Sequence, residues 1–284
     1  MLADSIASNA SFAKGKPVSD VNGNTPVRLP ATFKEKIWGT TDLAPWYATP
    51  QNKIGEVWFE ADLPLLVKFV FTSEKLSVQV HPDDAFARTH ENSLGKTEMW
   101  YVLRADPGAQ IAMGFREPIT RERLRESALS GEIEHLLHWV NVQPGDAFFI
   151  PAGTVHAIGA GLVLCEVQQH SDITYRLYDY GRPRKLHLEK AIQVASIHES
   201  HARPRSLPIE CPYFHTEDAS IDTPIEYPPP CERFHLLIFV SGSGQIGSQP
   251  FREGETWFIP QGANPFSIVP GEPTRFLRTW VPQR

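Results

Sequence analysis

Two stretches, "GDAFFIPAGTVHAIG" (residues 145–159) and "GETWFIPQGANPFSI" (residues 254–268), are near copies of one another. Each reads Gly, five residues, Pro, one residue, Gly and two residues more; the next position is His156 in the first and Pro265 in the second. Gly145 and Asp146 predict a tight turn into the strand "AFFIP". Pro151 and Gly153 end that strand in a turn that aims the next side chain inward. The echo continues upstream, where "MWYVLRADPGAQI" (residues 99–111) aligns without gaps to "FHLLIFVSGSGQI" (residues 234–246). Two matches in the same order predict a duplicated β domain.

The rest of the chain suits that reading. Its 25 prolines and 19 glycines in 284 residues favour many short strands joined by turns. "LLVKFVF", "KLSVQVH", "EMWYVLR", "AQIAMGF", "DAFFIP" and "LVLCEVQQ" are β-branched or aromatic runs of strand length. "ITRERLRESALSGEIEHLLHW" (residues 119–139) instead spaces Leu at helical intervals among charges, and predicts two short helices divided at Ser130-Gly131. "LHLEKAIQVASI" (residues 186–197) predicts another. The expected organisation is a loosely ordered extension over residues 1–24, a first β domain over 25–200 with the short helices, and a second over 201–284 completed by strands from the N-terminal part.

Bulk properties exclude several function classes. A net charge of -6 argues against a general binder of nucleic acid or anionic membranes. No apolar run approaches the ~18 residues of a membrane helix; "LPLLVKFVF" is short and interrupted by Lys68. The first residues show no basic start followed by an apolar core, so no secretory signal is expected. The three cysteines lack CxxC spacing and suit a reducing compartment, which predicts a cytoplasmic protein.

The Gly…Pro…Gly…His element resembles the second signature of the cupin superfamily, jelly-roll barrels that often hold one metal ion in the mouth. The fold class implied is mainly β: two cupin-type barrels with a few short helices between strands. If His156 is a ligand, its partners belong on neighbouring strands. Gln79 and His81 lie two apart in "LSVQVHPDD" and so share a strand face, and Glu98 begins the next strand. Two imidazoles, a carboxylate and an amide make a mixed N/O site suited to Zn²⁺ or another borderline divalent ion. In the second copy Pro265 stands for the histidine and Arg233 aligns with Glu98, so that barrel is expected to be metal-free.

"QVHP", "GKTEMWYVL", "PAGTVHAIG" and "EVQQHSDITYRLYDYGR", in that order, resemble the zinc-dependent type I mannose-6-phosphate isomerases, in their shorter bacterial branch. The flanking "EKIWG", "GEVWFEADLPLLVKF" and "KLHLEKAI" are similar too. The resemblance is strong from about Val27 to Ile197 and weaker beyond. It implies one Zn²⁺ per chain on Gln79, His81, Glu98 and His156, and active-site roles for Lys96, Glu166, Asp172 and Arg176. It departs from the family at Thr97, where many members have Pro, and in the extension before Val27.

The implied reaction moves a proton between C2 and C1 of a sugar phosphate through a cis-enediol, interconverting mannose 6-phosphate and fructose 6-phosphate. Lys96 and Glu166 are rival bases, Arg176 would contact the developing oxyanion, and Asp172 would assist ring opening. Arg182, Arg184 and Lys185 are candidates for the phosphate. No G-x-G-x-x-G loop occurs, in keeping with a redox-neutral reaction. The expected partner is a small sugar phosphate, without nucleic acid or membrane, for a monomer or weak homodimer. Two alternatives stand beside this reading. A cupin oxygenase with Fe²⁺ is disfavoured because Gln79 takes the place of a first histidine. A non-catalytic sugar-binding cupin is disfavoured because Lys96, Glu166 and Arg176 are all present.

Overall fold

In the strand Leu65–Thr72 every residue is buried, because its two faces have different partners. Leu65, Val67, Phe69 and Phe71 enter one apolar cluster, whereas Val70 enters another. The strand Leu162–Gln169 behaves alike: Val163, Cys165 and Val167 face the first cluster, and Leu162 and Leu164 the second. The period-2 alternation of a strand thus assigns each residue to one of two cores.

The computed structural model describes residues 24–227 and 232–283. The expected N-terminal extension therefore lies, but for Asn24, outside the described residues. Among the described residues every pairing between strands of a sheet is antiparallel. A six-stranded sheet runs Ala31–Thr40, Ile54–Phe59, Leu65–Thr72, Leu162–Gln169, Glu98–Ala105, Ala147–Ile150. It packs over Tyr175–Tyr178, Val78–Val80, His156–Ile158, Gln110–Phe115, Leu137–Asn141, and Trp100, Phe148, Ile111 and Ile158 fill the space between the two sheets.

The same plan recurs. Val27–Arg28, Thr256–Ile259, His235–Ser241, Thr274–Trp280, His215–Ile221 and Ile209–Glu210 form a sheet that packs on Ile225–Tyr227, Phe266–Pro270, Ser243–Ile246 and Gln249–Arg252. Strands at corresponding places in the chain occupy corresponding places in each sandwich, as a duplication requires.

The two barrels meet back to back. Leu236, Ile238, Val240 and Leu277 of the second pack on Val67, Phe69, Phe71, Met99, Tyr101 and Cys165 of the first, with Trp46 and Phe214 at the seam. Each fully buried Phe in this seam stabilises the fold by roughly 1.5–3 kcal/mol relative to exposure.

The helical segment divides as its sequence predicts: Arg121–Ser130, capped by the Thr120 hydroxyl, then Ile133–Leu136, with Gly131 between them at φ 85°. Leu137, His138 and Trp139, expected at the end of the helical stretch, instead start a strand, because Ala112 and Phe115 offer it an edge to pair with. The third predicted helix is Leu188–Val194. A fourth, Asp84–Glu91, was not expected from the sequence; Asp83 caps it by accepting from the Phe86 N–H. These helices cover the outer face of the five-stranded sheet through Leu124, Ala128, Ile133, Ala191 and Ile192. No helix among the described residues is long and apolar enough to cross a membrane.

The gapless alignment of the two copies does not survive strand pairing. Glu98 lies opposite Ile150, and His235 lies opposite Ile259, which holds the same place in its Gly…Pro…Gly element. His235, not Arg233, is therefore the counterpart of Glu98. The turn after His235–Ser241 is shorter than the one after Glu98–Ala105, and a two-residue difference in the strand is taken up there.

Candidate metal centre and active site

His156 and Gln79 face one another across neighbouring strands, and Arg176 is paired with Gln79 on its other side. These three side chains therefore form a row on one sheet face. His81 follows the central strand, and Glu98 reaches in from the opposing sheet. The ligand atoms of His81, Glu98 and His156 lie within 4.8 Å of one another, and all three residues are buried.

Each imidazole is aimed from behind. His81 donates its Nδ1–H to the Ile173 carbonyl at 2.8 Å, and His156 donates its own to the Thr154 carbonyl at 2.9 Å. Both Nε2 lone pairs are thereby turned toward Glu98, each 3.5 Å from a carboxylate oxygen. Burial, reinforced by the His156 neighbour and by Lys96, holds the His81 pKa well below its usual value; burial and Lys96 bring that of His156 down to about 4.

Both Glu98 oxygens are buried; Oε1 accepts no hydrogen bond, and Oε2 has only the Lys96 ammonium, 2.7 Å away. Burial and the nearby Glu166 charge push its pKa up to about 7. A buried carboxylate with one oxygen lacking any donor, facing two inward lone pairs, is costly unless a cation is shared among them. The donor set fits a divalent metal ion. Gln79 adjoins it: its amide nitrogen donates to His156 Nε2 at 3.3 Å while its oxygen accepts from the Ser77 hydroxyl. A 180° turn of the amide would present the oxygen instead.

Beside this cluster opens a polar cavity of about 250 Å³. Lys36, Lys68, Lys96, Arg176 and Arg184 line it against Glu56, Glu166 and Asp172, an excess of positive charge. All lining residues fall between Lys36 and Arg184, so the second barrel contributes none. The four residues named from the sequence as catalytic thus share one cavity.

Lys96 lies 2.7 Å from Glu98 and 3.5 Å from Glu166. Burial opposes its charge, but the two carboxylates outweigh burial and raise its pKa, so it carries its proton. Glu166 is the reverse case: burial would raise its pKa, yet Lys96, Lys68 and a hydrogen bond from Trp100 Nε1 (2.9 Å) bring it down to about 2. Asp172 is largely exposed on a loop, 3.9 Å from Lys68. Of the three phosphate candidates, Arg184 lines this cavity and is fixed by both Asp179 oxygens. Arg182 turns to the Lys75 carbonyl, and Lys185 lines a separate open groove.

Sequence reasoning missed Lys68. It is buried to 2%, 3.5 Å from Glu166, and its ammonium stands 4.3 Å from the centre of the Trp58 indole. Lys36, Glu56 and Trp58 form the adjoining wall, joined by a Lys36–Glu56 ion pair of 3.0 Å and a Trp58 Nε1–Glu56 hydrogen bond. The available signal was a lysine inside a wholly apolar strand, which burial tolerates only with a partner.

The second barrel carries this ion pair with its charges exchanged. Glu166 pairs across the sheet with Lys68, and the corresponding register pairs Arg278 with Glu217. There Arg278 Nε donates to Glu217 at 2.7 Å. His235, in the place of Glu98, accepts from the Tyr227 hydroxyl at its Nδ1.

Residues 1–105 match the family model described as phosphomannose isomerase type I, catalytic domain. Mannose-6-phosphate isomerase ManA of Bacillus subtilis is 35% identical, over 86% of this chain and 95% of its own length. Mannose-6-phosphate isomerase of Streptococcus mutans is 49% identical over a shorter stretch, 47% of this chain and 44% of that protein. The crystal structure of mannose 6-phosphate isomerase from Bacillus subtilis superposes with a TM-score of 0.81 at 28% identity, covering 90% of this chain and 99% of that one. On that 35% identity to ManA across nearly the whole of both proteins, the chain belongs to the type I mannose-6-phosphate isomerase family.

Proposed function

We propose that this enzyme interconverts D-mannose 6-phosphate and D-fructose 6-phosphate by proton transfer between C2 and C1 through a cis-enediol, with Zn²⁺ held by His81, Glu98, His156 and Gln79. One observation carries the reading: a donor set of two inward Nε2 atoms and a buried carboxylate, one of whose oxygens has no donor, opens onto a cavity with excess positive charge, in a member of this family. A divalent cation there supplies positive charge for the sugar oxygens at C1 and C2 as they become negative.

The chain's own groups divide the proton work by their protonation states. Glu166 is ionised and accepts the proton from carbon. Lys96 is protonated and serves the neighbouring oxygen as donor. Trp100 occupies one Glu166 oxygen, so the other, between Lys68 and Lys96, is the one free to act. Arg176 contacts the developing oxyanion. Asp172, exposed at the cavity edge, assists ring opening. Arg184 and the rim residue Lys36 attract the phosphate.

The proposed enzyme is a monomer or weak homodimer acting on a small sugar phosphate. The described cysteines, Cys165 and Cys211, are free thiols, which supports a cytoplasmic location.

The test is a coupled assay of the purified chain on mannose 6-phosphate and on free mannose, before and after chelation. Turnover of the phosphate ester, its loss on chelation and its return with added zinc are expected. Turnover that ignores chelation, or equal turnover of free mannose, would contradict the assignment.

A further inference from the structure

Arg176 sits on the strand Tyr175–Tyr178, which is the edge of its sheet. Its pairing to Gln79 uses one side, and the main-chain groups of an edge strand on the other side need partners of their own. His187 supplies both. Its main-chain N–H donates to the Arg176 carbonyl at 2.8 Å, and its side-chain Nδ1 accepts the Arg176 N–H at 3.2 Å. One residue thus does the work of an adjoining strand.

We infer that His187 is a positioning residue, which clamps the strand edge carrying Arg176 from outside the catalytic cavity. The inference rests on the reading that Arg176 acts on substrate.

Three observations support the clamp. First, the segment that carries His187 also holds the arginine head, because Arg176 Nη1 donates to the Lys185 carbonyl at 2.8 Å. On the far side, Arg176 Nε donates to Ser77 Oγ at 3.3 Å, so the guanidinium is held at two points. Second, His187 is the first flanking residue of the helix Leu188–Val194, yet its side chain makes no capping bond there. Its carbonyl accepts from Ala191 N–H, which starts the helix, while the imidazole turns back to the strand. Third, the surroundings favour the neutral ring that an accepting Nδ1 requires. Burial, Arg176, Lys185 and Lys190 lower its pKa, opposed by Glu91 across the groove.

This gives a purpose to the His187 of "KLHLEKAI", which no metal or substrate role absorbs. Small errors in placing a catalytic group are expensive in rate, so a fixed main chain under Arg176 matters even though His187 lies outside the cavity.

The experiment is a double-mutant cycle in the zinc-loaded, full-length enzyme. His187→Leu keeps bulk and removes the acceptor; His187→Asn keeps an acceptor oxygen near the Nδ1 position. His187→Leu is expected to lower kcat about 10- to 100-fold at little-changed KM, and His187→Asn to stay within about threefold of wild type. In an Arg176→Ala background His187→Leu should cost nothing further. Equal losses in the Leu and Asn variants would mean a merely structural role, and losses additive with Arg176→Ala would mean that His187 does not act through Arg176. Either result overturns the inference. Should His187→Leu not fold, His187→Asn alone decides: activity near wild type supports the clamp, and its loss overturns it. Wild-type turnover in Arg176→Ala would instead remove the role assigned to Arg176, a failure separable from that of the clamp.

Discussion

Lys68 is fully buried in a strand of apolar residues, where an unpaired ammonium would not be tolerated. Its position between Glu166, Asp172 and the Trp58 face compensates for burial and keeps Glu166 ionised. Lys68→Met should therefore lower kcat about 10- to 100-fold, because the free Glu166 oxygen loses the buried ion pair that fixes its place in the cavity. The sign of the pH effect follows. A carboxylate base works above its pKa and fails as pH falls through it; removing Lys68 lets the depressed Glu166 pKa rise. The acid limb of the kcat profile, measured at saturating metal, should move to higher pH, and an unmoved limb would show that Lys68 does not tune Glu166. At this scale the residues that meet at the candidate metal centre were legible in the sequence, since Gln79, His81, Glu98 and His156 stand at fixed offsets from turns and strand starts. Lys68 was not legible, because a lysine that interrupts "LLVKFVF" reads as a break in hydrophobicity until its partners, about a hundred residues away, are in place.

Adjacent residues of one strand serve different ends, and the strand Leu65–Thr72 makes this testable. Phe69, next to Lys68, points the other way into the seam between barrels, in edge-on contact with Trp46, Tyr47 and Phe59. Phe69→Ala should cost about 3–5 kcal/mol of stability by leaving a cavity, while kcat of the folded enzyme stays at the wild-type level. Denaturant unfolding and turnover on the same preparation check both halves; a large fall in kcat would mean that seam and site are coupled. Most strands and the break at Gly131 were legible, because alternation and turn residues act locally. The helix Asp84–Glu91 was not, since its short length and polar surface give a weak periodic signal. The two-residue offset between the copies was not either. Turn lengths drift freely in a duplicated fold, and only the pairing of Glu98 with Ile150 and of His235 with Ile259 fixes the register.

For the whole molecule, the back-to-back arrangement sets what each barrel does. The seam uses the outward faces of both six-stranded sheets, so the first barrel's inward face, with Glu98, Glu166 and Lys68, opens away from the second barrel. The second barrel covers apolar surface that the first would otherwise expose, and fills the place of the Lys68–Glu166 pair with Glu217 and Arg278 in reversed sense. It supports the site without lining it. The candidate ligands and the cavity lining thereby fall in one copy of a duplicated element, the one that ends in His156 rather than Pro265. The most direct measurement of that division is zinc content together with mannose 6-phosphate turnover in His156→Ala, set against the wild type. The expected result is one zinc per chain in the wild type, and in the variant a folded protein with neither zinc nor turnover. A folded variant that kept its zinc and turned over at the wild-type rate would contradict it.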